Sequence, residues 1–251
     1  MKRLIVTALF FVVTLAFTTI NSFAQSASRE DLLKELQAKR AELQLLEKQF
    51  LAPAAEDRNA YVEFLLQPDT GLIRLLPREA YDSNLNKKIK GSLTIRGGGA
   101  YYSFARLTHE YGFGSDLELE LGHFSVGFAG ADYGMLVNLG DVALDEITLE
   151  HPRVRYLAAY TPPPQEATAR LEARQFGQGV TVDDVLYENR LPVEKRSTYL
   201  LRSIGYSNSD VLVAFKVVRK DSDGSIILAW KLLKKYPVPE LARQDVLELA
   251  R

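Results

Sequence analysis

Residues 211–233, with the sequence VLVAFKVVRKDSDGSIILAWKLL, decide the fold class. In the first half, apolar side chains occupy every second position, at Val211, Val213, Phe215 and Val217. This period of two is typical of a strand with one buried face. A second apolar run follows the Asp223-Gly224 pair, which favours a tight hairpin turn. The stretch therefore predicts an antiparallel β-hairpin whose first strand buries one face.

Upstream of this hairpin, short segments with the same period of two are separated by glycines. Residues 116–121 alternate strictly between acidic residues and leucine, and residues 197–206 form a further candidate strand. The glycines at 97–99 are expected to bend the sheet. We therefore predict an α+β, mostly β protein. Its body is an antiparallel sheet, either a sandwich or an open barrel, preceded by an amphipathic N-terminal helix.

Residues 25–56 have the pattern of an amphipathic, coiled-coil-like helix. Ser28 and Asp31 have the spacing of a capping box, and Pro53 stops the helix. Apolar residues fall on heptad a and d positions at Leu32, Leu36, Leu43, Leu46 and Phe50, with Lys39 at one d position. Two interpretations stay open. The helix packs on the body of its own chain, or the helix over 28–51 joins copies into a homo-oligomer.

The N-terminal residues 1–24 have the pattern of a signal peptide. Lys2 and Arg3 precede an apolar stretch over 4–20, and Ser22-Phe23-Ala24 places small residues where a signal peptidase cuts. We expect export, to the periplasm or out of the cell, with an uncleaved signal anchor as the alternative. No later segment is long and apolar enough for a membrane helix, so the mature chain is not expected to span a membrane.

The remaining chain divides by composition into four parts. Residues 57–159 are the first part of the β-rich body. Residues 160–180, rich in Pro, Ala and Gln, are predicted to be a linker or excursion. Residues 181–239 complete the body with the C-terminal hairpin, and residues 240–251 are a short helix or a frayed tail.

Composition excludes several functional classes. The 251-residue chain has a formal net charge of -1, which argues against nucleic acid as a partner because phosphate binding needs a basic surface. It contains no cysteine, which excludes disulfides, a thiol nucleophile and cysteine-ligated metals. A chain with 47% hydrophobic and 25% charged residues is otherwise an ordinary globular protein.

The short motifs that resemble catalytic or metal sites are incomplete. His109-Glu110 lacks the second histidine of the helical zinc motif. The segment 123–127 has a histidine where a nucleophile elbow requires glycine. The three histidines have no metal-ligand spacing. We therefore expect no cofactor and no metal.

Three carboxylates, Asp116, Glu118 and Glu120, share one face of a predicted strand. Alternation of this kind usually gives a solvated polar face. Arg96 and Arg106 are the candidate cross-strand partners. A catalytic carboxylate pair is the alternative.

Eight of the 25 aromatic residues lie between 101 and 133. Aromatic residues are ordinary strand residues, so a tyrosine-rich core explains them. Together with nearby polar groups they also predict a ligand-binding surface. Its candidate residues are Tyr101, Tyr102, Arg106, His109, Tyr111, Asp132 and Tyr133.

These features favour an exported, non-catalytic β protein that binds a small ligand, a glycan or a protein. One alternative is an envelope hydrolase acting on glycan or peptide, with His109 or Glu110 as base and Asp116 or Glu118 as the second group. The other alternative is an envelope assembly protein that acts through its coiled coil.

Overall fold

The computed structural model describes residues 28–82, 93, 95–109, 111 and 114–242. The predicted signal peptide lies outside the described residues, as does the end of the predicted C-terminal tail. The chain divides into two compact units between Leu46 and Glu47.

The described residues of the first unit form the greater part of helix α1, Arg29–Phe50. The helix begins there because the Ser28 hydroxyl accepts the backbone N–H of Asp31 at 3.1 Å and donates to the Asp31 carboxylate at 2.7 Å. Glu30 and Lys34, one turn apart, form an ion pair of 3.0 Å that stabilises the helix. The last turn of α1, from Glu47, belongs to the second unit.

The second unit contains the remaining helices and the strands. Its helices are α2 Ala55–Ala60, α3 Val62–Leu65, α4 Arg78–Tyr81, a 3₁₀ helix Leu144–Glu146, α5 Pro152–Ala159 and α6 Glu166–Gln178. Its strands are β1 Thr70–Leu75, β2 Tyr101–Tyr102, β3 Leu117–Glu120, β4 His123–Ser125, β5 Tyr133–Gly140, β6 Val180–Val182, β7 Val185–Tyr187, β8 Arg190–Pro192, β9 Thr198–Gly205, β10 Ser209–Lys220 and β11 Ile226–Lys235.

A five-stranded antiparallel sheet, in the order β1-β11-β10-β9-β5, forms the centre of the second unit. The hairpin β10–β11 lies where the alternation of residues 211–233 predicts it, with Phe215 opposite Trp230. The four alternating side chains of its first strand all enter one hydrophobic cluster, as the sequence predicts.

A four-stranded sheet, in the order β2-β3-β4-β8, shares that cluster. Phe104 and Phe124 from this region pack against Phe215, with ring centroids 6.4 and 5.0 Å apart. The structure confirms the α+β, mostly β class with antiparallel sheets and an N-terminal helix. The described strands do not close a barrel.

Helices cover the opposite face of the five-stranded sheet. Val154 and Leu157 of α5 and Ala169 and Phe176 of α6 are buried in a second cluster. The segment 160–180, predicted to be a linker or excursion, thus contains a helix whose apolar residues join the core. No helix within the described residues is long and apolar enough to cross a bilayer.

Tight turns join the short strands around β2 and β3. Strand β2 ends after two residues, and a turn at Leu107, with φ 57°, returns the chain to a bridge between Ser103 and Thr108. Leu121 and Gly122 have φ 49° and 72°, the two positive angles of a tight turn that joins β3 to β4.

Candidate functional site

The carboxylates of β3 lie against an arginine that no sequence pattern marks. The Arg78 side chain, at the start of α4, places Nη1 3.0 Å from Glu118 and 3.4 Å from Glu120, and Nε 3.2 Å from Asp82. Glu118 and Asp116 are buried, so the prediction of a solvated polar face is wrong for these two residues. Arg78 is the cation that pairs with Glu118 because α4 lies beside β3 in the fold. The two residues are 40 positions apart in the sequence.

Tyr101 completes this cluster. Its hydroxyl donates to Glu118, and its ring contacts Tyr111 and Phe128 edge-on, with centroids 4.5 and 5.3 Å apart. Burial raises the pKa of Tyr101, and the acceptor Glu118 raises it further. Burial also raises the pKa of Glu118, while the bonds from Tyr101 and Arg78 oppose that rise. Both groups are therefore committed to each other and to Arg78, which favours a structural role over acid–base work.

Tyr102 and His109 form a second pair, within the core. The Tyr102 ring lies 5.2 Å from Phe104 and 5.0 Å from His109. His109 Nε2 lies 2.7 Å from the carbonyl oxygen of Arg74. Because a carbonyl only accepts, this nitrogen carries the ring proton. Burial lowers the pKa of His109, which keeps the imidazole neutral.

The other predicted ligand residues have separate partners. Arg106 donates to the amide oxygen of Asn208 at 2.7 Å. Asp132 accepts the backbone N–H of Tyr206 at 2.9 Å, and burial raises the pKa of this carboxyl. The hydroxyl of Tyr133 bonds that of Tyr160 at 2.6 Å. The structure thus brings Tyr101 next to Tyr111 and Tyr102 next to His109, and it joins the remaining three to other residues.

Asp132 and Tyr133 line a small polar cavity together with Ser203 and Ser209. Its volume of about 10 Å³ corresponds to one water molecule. The buried Ser209 hydroxyl has no hydrogen-bond partner among the described residues. Ser203 also bonds the carboxylate of Asp116, which links the cavity to that buried acid.

Asp116 is fully buried, and the donors that face it among the described residues are all neutral. Its Oδ2 accepts the backbone N–H of Phe104 at 2.7 Å, while Oδ1 has no partner in the described part of the chain. Desolvation raises the pKa of Asp116 to about 6, although bonds from Ser203, Phe104 and Ala105 oppose that rise. An arrangement this enclosed gives no access to a substrate of any size.

A much larger cleft opens beside the short helices α2 and α3. One wall consists of residues 59–64 and Gln67, the other of residues 143–145, and Lys216 lies between them. We call this space the α2–α3 cleft. Its volume is about 550 Å³, within the range of about 300–1,000 Å³ that small-molecule sites occupy.

The first wall of the α2–α3 cleft is held by polar contacts at both ends. Asp57 accepts the backbone N–H of Ala54 at 3.2 Å, which caps α2, and it also accepts from Arg219 of β10. The Thr70 hydroxyl contacts the carbonyl oxygens of Phe64 and Gln67 at 3.0 and 2.9 Å and thereby fixes the turn that follows α3. These contacts tie the first wall to β1 and β10.

The lining of the α2–α3 cleft combines apolar and polar groups. The rings of Tyr61 and Phe64 meet edge-on with centroids 6.0 Å apart, and Val62 is 55% exposed. Gln67 donates to Asp145 at 3.4 Å, a bond between the two walls. Desolvation raises the pKa of Tyr61, and the charge of Asp57 adds to the rise, so its phenol stays protonated.

Lys216 gives the cleft its cation. Its Nζ donates to Asp141 at 2.7 Å and to the carbonyl oxygen of Val142 at 3.0 Å. An ammonium has three N–H donors, and the described residues accept two of them, which leaves one for a ligand. Arg196 binds the other oxygen of Asp141 at 2.7 Å and does not line the cleft.

The sequence pattern does not mark the α2–α3 cleft, because its walls are separated by about eighty positions along the chain. The local signal is limited to two apolar residues, Val62 in α3, which lines the cleft, and Leu66 just after α3, which is 82% exposed. Across the described part of the chain, no three His, Asp or Glu side chains lie where they can hold a metal ion.

No protein-family model, no curated protein and no solved structure matches this chain. Function is therefore inferred from the chemistry of the site.

Proposed function

We propose that the protein is an exported, non-catalytic binding protein and that the α2–α3 cleft receives its ligand. The volume of the cleft, about 550 Å³, is the observation that carries this proposal. Export is supported by the signal-peptide pattern of residues 1–24.

The lining of the cleft favours a small amphipathic acid. Tyr61, Val62 and Phe64 offer an apolar and aromatic wall, and the free N–H of Lys216 offers a charged donor to a carboxylate or another anionic group. A ligand with one apolar body and one anionic end uses both features at once.

The state of the described titratable groups supports binding over hydrolysis; Glu110, the other candidate base, lies outside the described residues. His109 donates its Nε2 proton to a backbone carbonyl, and Glu118 is bound by Tyr101 and Arg78. Asp116 is buried away from any substrate-sized space. A hydrolytic base needs a lone pair within reach of a substrate or of one bridging water.

Ligand-observed NMR tests this proposal on the soluble protein recovered after expression of the full chain. Aromatic and aliphatic monocarboxylic acids are screened by saturation transfer, and the best binder is titrated. We expect Lys216→Met to weaken that binder at least tenfold, about 1.4 kcal/mol, because the charged donor is lost.

Arg196→Met is the matched control. It removes the other cation from the same carboxylate of Asp141 but leaves the cleft lining intact. We expect its affinity to stay within about twofold of the parent protein, well below a tenfold step. Absence of saturation transfer to every acid, or an equal loss in both variants, contradicts the proposal.

A further inference from the structure

Four of the six leucines of α1 form an exposed stripe along the described part of the first unit. Leu32, Leu36, Leu43 and Leu46 are 49%, 51%, 39% and 55% exposed. They lie at heptad d, a, a and d positions, on one side of the helix. Glu47 is buried and belongs to the second unit, as does Phe50, whose ring lies 5.8 Å from that of Tyr81, so the part of the stripe that lies in the first unit ends at Leu46.

We propose that this stripe pairs with the same stripe of a second copy, in a parallel and in-register two-stranded coiled coil over residues 29–46. A helix of this length is marginal in water without tertiary contacts, and a second copy supplies them. This inference does not depend on the α2–α3 cleft.

The charges beside the stripe select the parallel orientation. Glu35 is at a g position and Arg40 at the e position of the next heptad. In a parallel, in-register pair, each g residue faces the e residue five positions later on the other helix. Glu35 therefore faces Arg40 of the partner subunit, and symmetry repeats the contact.

An antiparallel pair lacks this complementarity. In that orientation g faces g and e faces e, which sets Glu35 and Glu42 against acidic residues and Arg40 against an arginine. The next g–e pair of the parallel form, Glu42 and Glu47, is unfavourable, but Glu47 is buried in the second unit and lies beyond the stripe.

Lys39 occupies the remaining d position of the stripe. Its Nζ lies 3.4 Å from the Glu42 carboxylate, so the charge is turned toward the edge of the helix while the methylene stem stays on the stripe. A single polar residue in the seam lowers affinity but fixes register and the number of strands. We therefore expect a reversible dimer of moderate affinity.

Engineered cysteines test the geometry directly, because the chain has no cysteine of its own. Leu36→Cys places one thiol at an a position, where the two copies of a parallel, in-register pair meet. Ala41→Cys is the matched control on the outer f position. Under mild oxidation we expect at least fivefold more disulfide-linked dimer from Leu36→Cys than from Ala41→Cys. Equal yields from the two variants overturn the proposal.

Charge reversal tests the register in solution by sedimentation equilibrium. Glu35→Arg is expected to raise the dimer dissociation constant at least tenfold, and addition of Arg40→Glu in the same chain to restore it to within about threefold. Glu35 and Arg40 are exposed, so neither change threatens the fold. A parent protein that stays monomeric at about 100 µM, where a micromolar dimer is populated, overturns the proposal. A dimer whose dissociation constant stays the same in Glu35→Arg and in the double variant also overturns the proposal.

Discussion

Two buried ionisable side chains, Arg202 and Asp116, lie on opposite sides of the sheet formed by β9 and β10, and their hydrogen-bond partners differ. Arg202 points to the helical face, where it makes bonds of 2.5 and 2.8 Å to Asp210 and one of 2.9 Å to the carbonyl oxygen of Leu157. Asp116 reaches the other face through Ser203, the next residue along β9, and has neutral donors only.

The difference shows how a β protein can hold a charge on each side of one sheet. On the helical face a guanidinium and a carboxylate neutralise each other. The ring of Tyr236 covers the guanidinium, with its centroid 3.1 Å from Cζ of Arg202. On the sheet-packed face one oxygen of the Asp116 carboxylate has no partner among the described residues, and burial raises the pKa of this carboxyl to about 6. The stability of the helical face therefore depends on both Arg202 and Asp210 being present. The stability of the sheet-packed face depends on the pH, which sets the protonation of Asp116.

The largest expected effect comes from breaking the ion pair. Arg202→Met leaves Asp210 buried without its cation, and we expect the free energy of unfolding to fall by about 3–5 kcal/mol. Urea denaturation measures this loss in the free energy of unfolding. The double variant Arg202→Met, Asp210→Leu should recover most of the loss, because two apolar side chains replace the pair. An unchanged single variant contradicts this view of the helical face.

The second effect concerns Asp116 and pH. Its folded-state pKa of about 6 lies above the ordinary value of 3.8. The folded protein therefore binds the Asp116 proton more tightly than the unfolded chain, and this stabilises the fold. That stabilisation is fully present below pH 3.8 and is lost as the pH rises through 6. From pH 4 to pH 7 this group should lower the free energy of unfolding by about 2–3 kcal/mol.

Asp116→Asn should remove that part of the pH dependence, measured by urea denaturation at both pH values. Asp184→Asn, in the exposed turn between β6 and β7, removes one carboxylate without altering the core and is the control. Parallel pH profiles for the parent protein and Asp116→Asn contradict the assignment.

The smallest effect compares two buried tyrosine hydroxyls, one on each face. Tyr199→Phe, on the sheet-packed face, removes a bond of 2.7 Å to the carbonyl oxygen of Pro192 and one of 2.9 Å from the N–H of Glu194. Tyr133→Phe, on the helical face, removes contacts to the hydroxyls of Tyr160 and Tyr206, which keep Glu172 and the carbonyl oxygen of Pro163 as acceptors at 3.2 and 2.5 Å. We expect losses of about 1–2 and about 0.5–1 kcal/mol in thermal unfolding. The reverse order contradicts the comparison.

Local patterns were sufficient for some elements of the fold. The alternation of residues 211–217 and the Asp223-Gly224 turn act over a few positions, and β10–β11 follows them. The heptad spacing and the Ser28 cap likewise coincide with α1. These signals need no distant partner, because period and turn chemistry are properties of neighbouring residues.

Other features depended on residues far apart. The alternation at Asp116, Glu118 and Glu120 is the usual pattern of a solvated face, yet Arg78 covers Glu118 from 40 positions away. The α2–α3 cleft has its walls at residues 59–67 and 143–145, bridged by a bond between Gln67 and Asp145 that spans 78 positions. No spacing within either wall indicates the other.

The sequence by itself determined the mostly β class, the C-terminal hairpin and the N-terminal helix, since hydrophobic period reports which faces of an element avoid water. Tertiary structure decided that helix α6, Glu166–Gln178, packs into the core, that Asp116 is buried, and where a ligand-sized cleft opens. These outcomes depend on which surfaces meet, and long-range contacts between strands and helices fix that only when the whole chain has folded.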